Sequence, residues 1–153
     1  MNICIFVGAR PNFIKIAPIV RAIDKAKAEG KEIGSSLVYA GREDDPTLEP
    51  SLFDDLQIGR PDVCLGVDCV NLNELTGQVM SAFERYLQEH STDVVIVVDD
   101  LASTMAAAIV TKKQGILLAH LVAGTRSFDI SMPKELNRLV IDGLSDLLFT
   151  AGI

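Results

Sequence analysis

Three short runs of uninterrupted apolar, largely β-branched residues constrain this chain most: NICIFVG at 2–8, DVVIVVDD at 93–100 and ILLAHLVAG at 116–124. A strand with one wet face alternates apolar and polar residues, whereas continuous apolar runs suit a sheet covered on both faces. SSLVYAG at 35–41 is a fourth such run, DLLFTAG at 146–152 a last one and PDVCLGV at 61–67 a weaker one.

Between these runs the spacing becomes helical. Residues 12–29 place Phe13, Ile16, Ile19, Val20 and Ile23 on one stripe, with Asn12 as the expected cap, Gly30 as the stop and Pro18 as a kink or break. Residues 72–90 form a long amphipathic pattern, 102–114 an Ala-rich one, and 133–144 one that opens on a proline, favoured in a first turn. Strands alternating with helices predict an α/β chain with a single doubly wound parallel sheet, Rossmann-like, over one domain spanning 1–153. The stretch REDDPTLEP at 42–50 reads as a loop whose acids are solvated.

The balance of charge narrows the partners. A net charge of −7 lacks the clustered cations that nucleic acid or an anionic membrane surface requires, although local donors could still hold a small anion. No stretch reaches the roughly 18 apolar residues of a membrane span, and the N-terminus has no basic leader region. Cys4, Cys64 and Cys69 are an odd set without CxxC spacing. They argue against a disulfide framework or zinc site and for inert thiols in a reducing cytoplasm.

In a doubly wound sheet, ligands bind beyond the carboxyl ends of the strands, where helix N-termini present unpaired N–H groups. The turns to inspect are therefore GARPN, AGREDD, DDLAST and HLVAGTRS. None carries GxGxxG or GxxxxGK[ST], so a dinucleotide or ATP has little support. In the first turn Arg10, with Lys15 one helical turn later, could grip phosphate oxygens, or both could be ordinary surface cations. In DDLAST, Asp99 and Asp100 could act in proton transfer or simply accept backbone N–H bonds. Alternation along a strand would turn only one of them toward a cleft. Ser103 or Thr104 could cap the following helix. Ser103, His120 and Asp100 also invite a catalytic-triad reading, but the GxSxG elbow that presents such a serine is missing. His90 ends a helix, where a dipole contact explains it.

Taken in order, GARPNFIKIAPIVRAI, VVDDLASTMAAA, AHLVAGTRSFD and MPKELNRLVIDGLSDLLF resemble the amino-terminal domain of the non-hydrolysing UDP-N-acetylglucosamine 2-epimerases, enzymes of the GT-B type. The resemblance implies the N-terminal half of that two-domain fold, with the second domain absent, and a UDP-sugar or phosphate ligand. It implies no metal or redox cofactor, because the family removes a proton at C2, eliminates UDP and re-adds it. On this resemblance Arg10 and Lys15 match cations near the nucleotide phosphates, Asp100 one catalytic carboxylate and Arg138 the Arg of an Asn-Arg pair. Two further family carboxylates fall on Val122 and Lys134, the Gly before the catalytic Asp is Asp99, and a family His is Glu43.

Loss of one positioned acid or base costs on the order of 10² to 10⁴ in rate. The expectation is thus a half-domain that binds a nucleotide sugar weakly at best and does not epimerise alone. Two alternatives stay open. One is an engineered protein with a redesigned site, for instance a hydrolase using Ser103, His120 and Asp100; the other is one half of a split epimerase. Apolar surface at a truncated cleft could also drive homodimerisation.

Overall fold

The computed structural model describes residues 1–150. Six parallel strands form one sheet: β1 (Asn2–Val7), β2 (Gly34–Tyr39), β3 (Val63–Cys64), β4 (Val94–Val98), β5 (Leu117–Ala123) and β6 (Leu147–Thr150). They lie in the order β3-β2-β1-β4-β5-β6. The order reverses direction between β1 and β4, so a crevice opens at their carboxyl ends.

The continuous apolar runs do what their composition requires. Within β1, Cys4 and Phe6 face one side while Ile5 and Val7 face the other, and all four are buried. The first side is covered by α3 (Leu72–Glu89), α4 (Ala102–Lys113) and α5 (Pro133–Leu144), through Val79, Phe83, Ala106, Val110 and Ile141. The small side chains of α4 let it settle close against the sheet. The other side is covered by α1 (Arg10–Ala28) and α2 (Pro50–Leu56), through Phe13, Ile16, Leu52 and Phe53. Burial pushes the Cys4 thiol up to about 12, which keeps it protonated and inert.

Several local expectations are corrected. Helix α1 starts at Arg10 with Ala9 as its cap, and Asn12 is drawn into the protein instead of capping. Its Oδ1 accepts from the Gly8 N–H at 3.0 Å, which satisfies a donor that the abrupt strand-to-helix turn would otherwise orphan. The helix passes Pro18 without a break, held by the buried Phe13, Ile16 and Ala17 before it and Ile23 after it. Gly30 follows the helix end at φ 87°, the left-handed geometry expected of a stop. Neither Ser103 nor Thr104 caps α4. Leu101 occupies that position, and the Thr104 hydroxyl donates to the Val98 carbonyl at 3.2 Å.

The stretch at 42–50 is more ordered than its acidity suggests. Asp45 accepts the Tyr39 hydroxyl at 2.7 Å and a bond from the Thr47 N–H at 2.9 Å, which hold its carboxyl below the usual range. It leads into α2, an element that the sequence reading missed although Pro50 and the buried pair Leu52 and Phe53 mark it. His90 ends α3, its Nδ1 2.9 Å from the Tyr86 carbonyl and its ring stacked on Tyr86. The final strand is described to Thr150; the remainder of the expected 146–152 run lies outside the described residues.

Candidate functional site

At the tip of β4 the chain leaves the sheet through Asp99, whose φ of 65° is left-handed, a conformation that Asp tolerates better than most residues. This turn breaks the strand's alternation, so Asp99 and Asp100 both line one cavity, where only one of them was expected. Each acid has its own cation. Asp99 accepts Lys15 Nζ at 2.6 and 2.7 Å and Asn12 Nδ2 at 2.9 Å. Asp100 Oδ2 accepts Arg138 Nε at 2.8 Å, and its carbonyl accepts Asn137 Nδ2 at 3.0 Å, so neighbouring residues of α5 grip both ends of one aspartate.

Beneath this turn lies His120 of β5, 1% exposed. Its Nδ1 is 2.6 Å from Asp142 Oδ1 and its Nε2 is 2.7 Å from the Asp99 carbonyl oxygen. Asp142 also accepts Arg126 Nη1 at 2.6 Å and the Gly124 N–H at 3.0 Å. Burial pushes the Asp142 carboxyl up, but the donors from Arg126, His120 and Gly124 outweigh it and leave the group below its ordinary value. The histidine thus ties the β4 turn to α5. Its two nitrogens are engaged, and it shares no hydrogen bond with Ser103.

Two residues on, the register of β5 against β6 shifts between Leu121 and Ala123, and Val122 sits in the shift at φ 62°. A bulge of this kind re-aims a side chain next to a binding site. Here it turns a branched apolar group into the cavity wall, in a conformation that a β-branched residue seldom adopts. The loop that follows is anchored by Glu135, which is buried on α5. One of its oxygens accepts from the Ser127 N–H, the Ser127 hydroxyl and, at 2.7 Å, the Phe128 N–H. The Ser127 hydroxyl is the main cause holding this carboxyl below its usual value. Its other oxygen, also buried, has no partner among the described residues.

The cavity enclosed by these elements has a volume of about 320 Å³. Lys15, Asp99, Asp100, His120, Val122, Lys134 and Arg138 all line it, so three of the four turns singled out in the sequence, GARPN, DDLAST and HLVAGTRS, converge on it, while AGREDD lines a separate cavity. Arg10, Ser103 and Glu43 stand outside its lining. Arg10 is exposed at the start of α1 and makes no ion pair among the described residues. Ser103 lies on a separate cavity of about 440 Å³ with Gly41, Arg42 and Asp45. It packs so closely on Gly8 that a Cβ there would fall 2.1 Å from its hydroxyl oxygen. The triad of Ser103, His120 and Asp100 is therefore not assembled. Glu43 is exposed beside Arg42 and Arg60, away from the main cavity. Asp142, Asn12 and Asn137 were not foreseen, although the spacing of four residues that puts Arg138 and Asp142 on one face of α5 was available in the sequence. Among the described residues no group of three or more His, Cys, Asp or Glu side chains could hold a metal ion. Among the described residues no helix is long and apolar enough to cross a membrane.

Comparison with known proteins places this architecture. Residues 25–152 match the family described as UDP-N-acetylglucosamine 2-epimerase. The chain is 37% identical over 150 residues to a UDP-N-acetylglucosamine 2-epimerase homolog of Methanococcus maripaludis, covering 98% of this chain and 40% of that protein. It is 33% identical over 149 residues to the UDP-2,3-diacetamido-2,3-dideoxy-D-glucuronate 2-epimerase of Pseudomonas aeruginosa, covering 97% and 41%. Among solved structures, the Methanocaldococcus jannaschii UDP-GlcNAc 2-epimerase in complex with UDP-GlcNAc and UDP superposes with a TM-score of 0.86 at 32% identity, over 98% of this chain and 40% of that one. The chain thus spans about 40% of the length of the relatives it matches.

Proposed function

Because this chain belongs to the UDP-N-acetylglucosamine 2-epimerase family, we propose that it is a nucleotide-sugar-binding half-domain. It holds a UDP-sugar weakly in the cavity at the tips of β1, β4 and β5, and does not epimerise it alone. The names of its relatives cover UDP-sugars with a neutral ring and with a uronic acid, so the class carried over is the UDP-sugar itself. The observation that supports the reading is the state of the acids. Asp99 is tied to Lys15 and Asp100 to Arg138, while the cavity's remaining face carries Val122 and Lys134. No carboxylate there is left without a cation to take a proton from carbon.

Positioning contributes as much as the base. Holding reactants in an attack geometry supplies about 7–11 kcal/mol of a barrier, and these residues span about 40% of the length of the epimerases they match. The cations and polar groups that remain can still attract a sugar nucleotide. Calorimetric titration with UDP-N-acetylglucosamine tests the binding claim: a dissociation constant on the order of 1 mM, about −4 kcal/mol, is expected. No heat at ten times that concentration would end it.

A second reading, one half of a split epimerase, draws on exposed apolar side chains. Phe128, Ile130, Leu136 and Leu139 are open around α5, as are Leu147, Leu148 and Phe149 on the edge strand β6. The same face supports self-association of two copies. Under this reading, epimerisation would arise only on adding a polypeptide that supplies the rest of the enzyme.

A further inference from the structure

The side chain of Asp99 is not what holds the β4 turn. The backbone does this: the Asp99 N–H donates to the Leu121 carbonyl at 3.3 Å, and the Asp99 carbonyl oxygen lies 2.7 Å from His120 Nε2. A φ of 65° favours glycine, so any side chain here is carried at a conformational cost. Nor does Lys15 need a partner to offset burial, because 44% of its side chain is exposed. A pair with one end so open contributes about 1 kcal/mol or less.

What the carboxylate does is fill a cradle. Both of its oxygens lie within 2.7 Å of Lys15 Nζ, and Oδ2 also accepts Asn12 Nδ2 at 2.9 Å. Asn12 is set in advance, since its Oδ1 accepts the Gly8 N–H and leaves Nδ2 as the outward donor. All three residues line the 320 Å³ cavity, and the Asp99 side chain is 15% exposed within it. An ammonium and a fixed amide N–H are donors that suit any oxyanion. The other charges around the cavity are matched: Arg138 by Asp100, Arg126 by Asp142, and Lys134 by Glu135 beside it in the chain. Take away the Asp99 carboxylate, and Lys15 becomes one positive charge in excess.

We infer that Asp99 is a built-in competitor, whose carboxylate occupies the subsite for a phosphate group of the ligand. A nucleotide sugar is then held weakly because its phosphate must displace an anion already tethered there, at an effective concentration on the order of millimolar or above. The inference rests on the UDP-sugar reading above for the identity of the phosphate.

Calorimetric titration of the 153-residue chain, Asp99→Gly and Asp99→Asn with UDP, inorganic pyrophosphate and uridine tests it. Glycine suits the left-handed turn and asparagine tolerates it, and urea midpoints near that of the parent would show that both variants fold. Both should bind UDP and pyrophosphate at least about tenfold more tightly than the parent, the size of one hydrogen bond to a charged group, with uridine affinity unchanged. The gain should shrink as salt is added. Adding Lys15→Gln to Asp99→Gly should remove it, a response that a purely structural Asp99 would not give. Equal UDP and pyrophosphate affinity in the parent and both variants overturns the inference and leaves the UDP-sugar reading standing. A gain as large for uridine as for UDP, or one that survives Lys15→Gln, also overturns it, because the cavity would have widened without acquiring an anion site. A gain for pyrophosphate without any binding of UDP keeps the inference and ends the UDP-sugar reading. If no variant binds either anion, both fall.

Discussion

Val122 bears two burdens at once. Its backbone is left-handed at φ 62°, and its side chain fills the place where the family resemblance puts a carboxylate. A branched residue in that conformation costs about 1–3 kcal/mol and persists only where its surroundings impose it. The bulge between Leu121 and Ala123 is what imposes it here. Val122→Asn, which tolerates the left-handed region and demands no more volume, should therefore raise stability by about 1 kcal/mol in urea unfolding. An unchanged or lower midpoint would show that the strain has already relaxed into the neighbouring chain. The lost acid was legible from the sequence by resemblance. The twist that aims its replacement into the cavity was not, because φ at a strand end depends on the register with β6.

Helix α5 works as a clamp between the strands and the loop after β5. Asp142 fastens His120, Arg126 and the Gly124 N–H; Glu135 fastens Ser127 and Phe128; and Asn137 with Arg138 fastens Asp100. Both clamp acids titrate below their ordinary values in the folded chain. As pH falls, the unfolded state takes up these protons first. The stabilisation is thus complete above about pH 4, the ordinary carboxylate value, and is lost as pH drops through the lower folded values. Urea midpoints should hold between pH 6 and pH 7 and fall steeply toward pH 3. Asp142→Asn should cost about 3 kcal/mol at pH 7 by stranding the charges it pairs, and should flatten the acid limb. A limb as steep as that of the parent would remove Asp142 from the clamp. The helix itself was legible from its apolar spacing and opening proline. Its partners were not, since they depend on β4 and β5 lying side by side. Short α2 escaped for a different reason: seven residues carry too few turns to show a period.

At the scale of the whole molecule, the order of the strands explains why three separate turns and α5 name one place. The reversal between β1 and β4 brings α1, the β4 turn, β5 and α5 around one opening, and a reader of the sequence can expect this from the alternation of strands and helices. What alternation cannot supply is the pairing of charges. Lys15 and Asp99 lie 84 residues apart, and only the folded chain shows that they neutralise each other. On the function proposed above, that pairing leaves these groups to bind a ligand and not to move its proton. The claim is tested most directly by proton NMR of UDP-N-acetylglucosamine mixed with this chain in heavy water. The account predicts saturable shifts of the nucleotide-sugar signals, with the sugar C2 proton retained and no 2-epimer formed over days. Exchange of that proton for deuterium, or growth of the epimer, would contradict it.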